Sequence, residues 1–177
     1  MTLQKTGKLV FPIAVFEAQE GPVEVEWAPH LPEEWGENPF PEAVTVTIGS
    51  QKMDTGYLIE IETQGRATLI CDRCGTDFVY AVDGKVRSFF AFATGVDRGE
   101  DVEVHVIPSS ARQIDLTQDA LDALILELPV KRLCSDACQG LCPQCGANLN
   151  EGACGCRPEE TDPRWEALKG LSFDDKP

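Results

Sequence analysis

Basic residues are scarce in this chain. It has 15 lysines and arginines against 30 aspartates and glutamates, which gives a formal net charge of −15. Residues 1–130 contribute −13 (nine basic against twenty-two acidic residues) and residues 131–177 contribute −2 (six against eight). Phosphate binding requires lysine and arginine, so this balance disfavours a broad grip on naked nucleic acid. It favours a basic protein partner, unless the acidity serves only to keep the protein in solution.

Long hydrophobic runs are also missing. No stretch approaches the roughly 18 apolar residues that a membrane-spanning helix needs. The apolar patch near the N-terminus is interrupted by Pro12 and ended by Glu17, unlike the core of a secretory signal. The sequence therefore predicts a cytoplasmic protein without membrane contact. Because cytosolic thiols stay reduced, clustered cysteines there indicate metal ligands or redox groups rather than disulfides.

The usual signatures of catalysis are absent as well. The two histidines are His30, in a proline-rich loop, and His105, at an outward position of the alternating segment VEVHV. Both are predicted to be surface residues rather than ligands. The sequence has no histidine near a serine in a nucleophile elbow, no phosphate-binding glycine loop and no carboxylate pair set apart from the general acidity. We therefore predict that the protein is not an enzyme.

Alternating residues are the main structural signal that the sequence does contain. Apolar and polar residues alternate with period two in residues 44–48, 59–62 and 101–107, which is typical of half-buried strands. Hairpin turns are predicted at TQGR (63–66) and at Asp83-Gly84. One long helix is predicted near 116–128, where apolar residues recur every three to four positions between Asp115 as a cap and Pro129 as a stop.

Six of the eight cysteines lie within residues 134–156, and the other two lie in the segment CDRCG (71–75). That segment and CPQCG (142–146) share one pattern, in which two residues separate the cysteines and a glycine follows. Such a pair can occupy adjacent corners of a metal tetrahedron, and the glycine permits a positive-φ turn. We predict two four-sulfur sites. Their ligands are predicted to be Cys142, Cys145, Cys154 and Cys156 in one site, and Cys71, Cys74, Cys134 and Cys138 in the other.

The spacing leaves other arrangements open. Cys71 and Cys74 could instead join Cys142 and Cys145, and a single metal site with four free or redox thiols satisfies the same pattern. Two cysteines separated by two residues, as in CDRC, are also the signature of thioredoxin-type proteins. In those proteins the pair lies at a strand-to-helix junction, whereas here it lies between two predicted strands. Zinc is preferred over iron because paired all-sulfur ligands are typical of structural zinc. A saturated four-sulfur shell stabilises a fold but leaves no position for a reactive water.

These elements define a fold class and two segments. The fold class is α+β, a mainly antiparallel β-sheet domain with one long packed helix and a zinc-binding, cysteine-rich C-terminal segment. Residues 1–130 are predicted to form the acidic β-rich domain. Residues 131–177 are predicted to form a cysteine-rich tail docked on it, with two structural zinc ions as the expected cofactors.

Four motifs occur in a particular order and spacing: CDRC after a strand, then LELPVKRLC, GLCPQCGANLN and DPRWEALKGL. Over roughly residues 60–171 they resemble the YceD-like family of bacterial proteins. The resemblance implies a role in the accumulation or processing of large-subunit ribosomal RNA, but it supplies no mechanism.

The resemblance and the charge together favour a non-enzymatic factor in ribosome biogenesis, with a basic ribosomal protein or a pre-ribosomal particle as its partner. Direct contact with RNA is not favoured. The candidate RNA-facing patch consists of Lys131, Arg132, Arg157, Arg164 and Lys169. Two alternatives from other functional classes are a zinc-ribbon nucleic-acid-binding module and a thiol redox protein.

Overall fold

The structure, a computed structural model, describes residues 3–18, 21–32, 34, 36–92, 102–156, 164 and 168. These residues form eight strands and two helices. In chain order the elements are β1 (Leu3–Thr6), β2 (Val10–Pro12), α1 (Ile13–Ala18), β3 (Val23–Ala28), β4 (Val44–Met53), β5 (Gly56–Ile70), β6 (Asp77–Ala91), β7 (Glu103–Val106), β8 (Gln113–Asp115) and α2 (Thr117–Leu126). Neither helix is long and apolar enough to cross a membrane.

Six strands form one sheet in the order β1-β3-β4-β5-β6-β7. The central strands β3 to β6 are an antiparallel meander, whereas the edge strands β1 and β7 pair parallel to β3 and β6. Strands β2 and β8 form a separate antiparallel pair. The predicted β-rich, mainly antiparallel fold agrees with this topology.

Both predicted hairpin turns are wrong. TQGR lies inside β5, and Asp83-Gly84 lies inside β6. These two strands have fifteen residues each and pair without a break over their whole length. The true connection between them is the cysteine-containing segment 71–76. A second tight connection, between Met53 and Gly56, joins β4 to β5.

The glycines that suggested turns are present for close packing. A Cβ atom at Gly84 would lie 2.1 Å from the carbonyl oxygen of Ala123 in α2. A Cβ atom at Gly65 would lie 2.5 Å from a side-chain carbon of Val44 in β4. Glycine within a strand often marks such a close approach, and the residue pattern alone does not separate this use from a turn.

The prediction of one long helix is also wrong, because the described residues contain two short helices, α1 of six residues and α2 of ten. Helix α2 begins at Thr117, whose backbone N–H and hydroxyl both donate hydrogen bonds to the carboxylate of Asp115 in β8. At its other end, the N–H of Leu128 bonds to the carbonyl of Ile125 at 3.0 Å. This tighter turn, followed by Pro129, ends the helix before the predicted segment is complete.

The main hydrophobic core lies between the sheet and α2, which packs across β5 and β6. Trp27 and Leu124 are among its largest fully buried side chains. The indole N–H of Trp27 donates to the carbonyl oxygen of Gly7 at 2.7 Å, so its polar atom is satisfied. A second, smaller buried group is separate from this core and contains Cys71, Cys74 and Cys138.

Candidate metal centre

The turn between β5 and β6 is built around the first cysteine pair. The N–H of Cys71 donates to the carbonyl of Thr76 at 2.9 Å, and the N–H of Gly75 donates to the carbonyl of Cys71 at 2.9 Å. Gly75 has a φ of +69°, a conformation that costs little only for glycine. The turn holds the sulfur atoms of Cys71 and Cys74 within 4.8 Å of each other.

Two cysteines from the tail meet this pair and complete a group of four. We call Cys71, Cys74, Cys134 and Cys138 the first cysteine cluster. The sulfurs of Cys71 and Cys138 are 3.8 Å apart, and those of Cys74 and Cys134 are 3.7 Å apart. A tetrahedron with zinc–sulfur bonds of about 2.3 Å has sulfur–sulfur edges of about 3.8 Å, so the spacing fits zinc. Disulfides need about 2.05 Å, and all eight cysteines are free.

Hydrogen bonds also attach the tail to the β5–β6 turn. The N–H of Asp72 donates to the carbonyl of Arg132 at 2.8 Å, and the N–H of Arg132 donates to the carboxylate of Asp72 at 2.7 Å. The guanidinium of Arg73 donates to the carbonyl of Cys138 at 2.9 Å, and the carbonyl of Arg73 accepts the N–H of Leu141 at 3.1 Å. Hydrogen bonds as well as the shared sulfur cluster therefore hold the tail against the turn.

The tail contains a second group of four. We call Cys142, Cys145, Cys154 and Cys156 the second cysteine cluster; their sulfurs lie within 4.8 Å of one another. The N–H of Cys142 donates to the carbonyl of Ala147 at 2.8 Å, and the N–H of Gly146, whose φ is +72°, donates to the carbonyl of Cys142 at 2.9 Å. This repeats the hydrogen bonds of the CDRCG turn. The structure brings together the same two sets of four cysteines that the spacing predicts, and the swapped arrangement does not occur in the described residues. That these sets bind metal stays a prediction.

The thiols of the first cysteine cluster have unequal pKa values. Burial raises the pKa of Cys71, but backbone N–H groups, that of Cys134 foremost, outweigh it and lower the pKa to about 6. A hydrogen bond from the Asn150 side chain lowers the pKa of Cys138. Hydrogen bonding to Cys138, together with burial, raises the pKa of Cys134 to about 12. Such a set ionises completely only when a cation replaces the remaining protons.

The second cysteine cluster shows the same division. The backbone N–H groups of Cys145 and Gln144 lower the pKa of Cys142 to about 6. Hydrogen bonding to Cys145 raises the pKa of Cys156 to about 12. Each cluster thus contains one cysteine whose pKa is lowered and one whose pKa is raised. A divalent cation would stabilise the deprotonated form of all four thiols.

The geometry does not favour the thiol redox alternative. The Cys71–Cys74 pair lies in a β-hairpin turn, whereas thioredoxin-type pairs lie where a strand leads into a helix. Two further sulfurs also lie within 4.8 Å of this pair. The arrangement is that of a four-sulfur group rather than of an isolated dithiol.

Both cysteine clusters lie in a segment that matches a known protein family. A family model described as "Large ribosomal RNA subunit accumulation protein YceD" matches residues 59–172, more than half of the chain. The chain belongs to this family. The YceD match begins within β5 and takes in β6, α2 and all eight cysteines. Strands β1 to β4 lie outside it.

Individual relatives match about half of this chain. The YCED homolog 1 of Arabidopsis thaliana, a chloroplastic large ribosomal RNA subunit accumulation protein, is 32% identical over 94 residues, which is 46% of this chain and 29% of that protein. An uncharacterized protein of Mycobacterium bovis is 39% identical over 101 residues, 55% of this chain and 47% of that protein. The chain therefore covers less than half the length of these relatives. No solved structure matches it.

His30 is exposed, whereas His105 is half-buried rather than fully exposed. The His105 ring stacks on Phe90 at 4.8 Å between centroids, and its Nε2 lies 3.0 Å from the carboxylate of Asp119, which is buried. The hydroxyl of Ser88 donates to the same carboxylate oxygen. These contacts tie β7 and β6 to α2. The sequence signal for them was a charged residue, Asp119, within the apolar stripe of a helix.

The basic patch remains a prediction. Lys131, Arg132 and Arg164 are exposed, whereas Arg157 and Lys169 lie outside the described residues. The backbone of Arg132 is engaged with Asp72 and therefore positions this side chain at the edge of the β5–β6 turn.

Proposed function

We propose that this chain is a non-enzymatic factor in ribosome biogenesis that supports the accumulation or processing of large-subunit ribosomal RNA. We further propose that both cysteine clusters hold structural zinc. One observation carries the proposal: the segment that matches the YceD family is the segment in which eight cysteines converge into two clusters of tetrahedral size. The family description supports the role in the large subunit, and the sulfur spacing supports the metal.

The proposed ligands are the members of the two clusters. Zinc supplies positive charge that neutralises thiolates, and four sulfurs leave no position for a reactive water. The first cysteine cluster would fasten the tail to the β5–β6 turn, and the second would close residues 142–156 on themselves. Residues 1–130 would then act as the acidic domain and residues 131–177 as the zinc-binding tail docked on it.

The partner we propose is a basic ribosomal protein or a pre-ribosomal particle. Glu24 and Glu26 of β3 and Glu60 and Glu62 of β5 lie on the sheet face opposite the core. Lys85 offsets part of this charge through contacts of 2.9 and 2.7 Å to Glu60 and Glu62. Four thiolates around Zn²⁺ leave about −2 per site, so zinc binding keeps the protein strongly acidic. Direct RNA binding is therefore not favoured, and a cytoplasmic location is part of the proposal.

The zinc part is tested by measuring metal per purified chain. Wild type is expected to hold about two zinc ions, and Cys74→Ser and Cys145→Ser about one each, because each variant loses one four-sulfur shell. Gln144→Ala is the matched control, since Gln144 is exposed in the same turn as Cys145 but lends only its backbone N–H. A wild-type chain with fewer than two ions, or two variants that empty the same site, would contradict the proposal.

The ribosomal part is tested in cells of the source organism from which the gene is removed. The ratio of large-subunit to small-subunit ribosomal RNA is expected to fall, and the wild-type gene to restore it. An unchanged ratio would overturn the proposed role. Sedimentation of the tagged chain with precursor particles, compared with its binding to naked large-subunit RNA over a salt series, separates a protein partner from direct RNA contact.

A further inference from the structure

Asn150 lies in the loop of the second cysteine cluster but contacts a cysteine of the first. It lies between Cys145 and Cys154, in the loop that separates the two ligand pairs of the second cysteine cluster. Its side-chain amide nitrogen nevertheless donates a hydrogen bond to the sulfur of Cys138, in the first cysteine cluster, at 3.4 Å. No cysteine spacing predicts this contact.

The orientation of the Asn150 amide follows from its neighbours. Its oxygen accepts the backbone N–H of Gln139 at 2.8 Å. A backbone N–H can only donate, so the oxygen must face Gln139 and the NH₂ group must face Cys138. The same NH₂ group donates to the side-chain oxygen of Asn148 at 2.8 Å. Both sides of the amide are thereby used, and the group is held in one orientation.

The loop that carries Asn150 lies between the two ligand pairs of the second cysteine cluster. At its start, Leu141 and Asn148 form an antiparallel bridge, and the N–H of Leu149 donates to the carbonyl of Gly140 at 2.9 Å. At its end, the chain returns to Cys154 and Cys156. A cation held by the four sulfurs of this cluster would fix both ends of the loop together.

We propose that Asn150 couples the two clusters, so that metal in the second cysteine cluster strengthens metal binding in the first. The proposal rests on the proposed function, because it requires both clusters to take metal. The second metal orders the loop, the loop presents the Asn150 amide, and the amide hydrogen bond stabilises negative charge on the Cys138 thiolate. Hydrogen-bond partners of metal ligands typically change metal affinity by about 10-fold to 100-fold. The coupling is reciprocal, since linkage requires the first metal to favour the second equally.

A purely structural role for Asn150 makes a different prediction. The turn at 148–151 has hydrogen bonds of its own, because the backbone N–H of Asn150 and the side chain of Glu151 both bond to the Asn148 side chain. Asn150→Asp keeps an oxygen for Gln139 and the backbone bond to Asn148, but it loses the NH₂ donor to Asn148 and places a carboxylate oxygen against the Cys138 sulfur. A structural role predicts a loss of stability that is the same with and without the second cluster, whereas coupling predicts weaker metal binding in the first cysteine cluster only while the second is present.

The experiment measures zinc release from the zinc-loaded full chain under a competing chelator. The release step that is missing from Cys74→Ser identifies the first cysteine cluster. Four chains are compared: wild type, Asn150→Asp, a Cys145→Ser/Cys156→Ser chain without the second cluster, and the combination of all three changes. Val130→Glu is the matched control, because it adds one negative charge beside the tail at a fully exposed side chain outside both clusters. Near-ultraviolet circular dichroism of each chain reports whether the core is intact.

Asn150→Asp and loss of the second cluster are each expected to lower first-cluster affinity by about 10-fold to 100-fold, and the combination by no more than either alone. Val130→Glu is expected to match wild type. Two bound zinc ions with unchanged first-cluster affinity in Asn150→Asp would overturn the coupling and leave the proposed function standing. An effect of Asn150→Asp without an effect of removing the second cluster would also overturn it. A wild-type chain that binds no zinc would overturn both.

Discussion

The first cysteine cluster joins residues 60 or more positions apart in the chain, whereas the second is assembled within residues 142–156. Three of the four cysteines in the first cluster are buried, but only Cys142 is buried in the second. Both use the same turn, in which a glycine of positive φ follows the cysteine pair. The same local chemistry therefore serves two purposes, since one cluster belongs to the tertiary structure and the other is local.

The difference has a physical origin in chain entropy. Bringing distant residues together costs more entropy than closing a short loop, so a link across the longer separation removes more freedom from the unfolded chain. The first cysteine cluster also gains from contacts made once the sheet exists, such as the two hydrogen bonds between Asp72 and Arg132. The turn of the second is closed by local contacts, those of Cys142 with Ala147 and Gly146. Loss of the first cluster should release the tail, whereas loss of the second should weaken metal binding in the first but leave the tail attached.

The largest expected effect is on attachment of the tail. Cys74→Ser should make trypsin cleave after Lys131 and Arg132 many times faster than in wild type, because the Asp72–Arg132 hydrogen bonds alone hold that backbone weakly. Cys145→Ser should leave cleavage at these sites near the wild-type rate. Mass spectrometry of timed digests measures both. Equal acceleration in the two variants would show that the clusters do not differ in this way.

Isolated peptides test whether the cysteines of each cluster can bind zinc without the sheet. A synthetic peptide of residues 139–156 contains all four cysteines of the second cluster and should bind about one zinc ion by itself. A peptide of residues 131–141 contains only Cys134 and Cys138 and should bind zinc far more weakly, because its partners lie on the β5–β6 turn. Chelator competition gives both affinities. Failure of the longer peptide to bind would mean that the second cluster also needs the folded sheet.

The metal-free chain should show a distinctive dependence on pH. The pKa values of Cys71 and Cys142 fall from the usual 9.0 to about 6 on folding, so their contribution to stability is present above pH 9 and is lost as pH falls through 6. The pKa values of Cys134 and Cys156 rise to about 12, so their contribution is present below pH 9 and is lost as pH rises through 12. The contribution of these four cysteines to stability should therefore peak near pH 9.

Urea unfolding of the chelated chain from pH 6 to pH 11 measures this profile. The zinc-loaded chain is the comparison, because its metal-bound sulfurs hold no protons whereas the thiols of the unfolded chain do below pH 9. Its midpoint should therefore rise more steeply than that of the chelated chain up to pH 9 and should not fall above it. A chelated chain whose urea midpoint falls steadily between pH 6 and pH 9 would contradict the prediction.

The smallest expected effect concerns two glycines. Gly140, between the clusters, has a φ of +76°, and a Cβ there would lie 3.0 Å from the carbonyl oxygen of Arg73. Gly75 has a φ of +69° with nothing within 4 Å of such a Cβ. Gly75→Ala should cost about 1 kcal/mol for its left-handed backbone, and Gly140→Ala about 1 kcal/mol more for the contact. Urea midpoints give the difference, and equal losses would mean that Arg73 yields without cost.

Sequence reasoning worked best where the information was local. The spacing of Cys142, Cys145, Cys154 and Cys156 identified the second group within fifteen residues, and period-two alternation identified the main strands. The first group was predicted only as the four cysteines that remained. Its geometry depends on how β5, β6 and the tail meet, which no local pattern encodes.

The errors came from residues whose roles depend on distant neighbours. Gly84 is small because α2 passes over it, not because the chain turns there. Asp115 was expected to cap a longer helix, and its carboxylate does accept the N–H of Thr117. Because β8 pairs with β2 and holds Asp115 in a strand, the helix starts only at Thr117. His105 was expected outside because the partner that draws it inward, Asp119, is fourteen positions away. In each case tertiary contacts overrode a correct local preference.

Strands β5 and β6 pair without a break, so the hairpin that they form is long. At about 3.3 Å per residue, a fifteen-residue strand extends roughly 50 Å. One end of this hairpin carries the first cysteine cluster, and the other, at Gly56 and Ala91, lies beside the connection from β4. Pairing at all fifteen positions leaves no unpaired residue between the two ends. A single partner that contacted both ends would therefore have to extend along most of the hairpin.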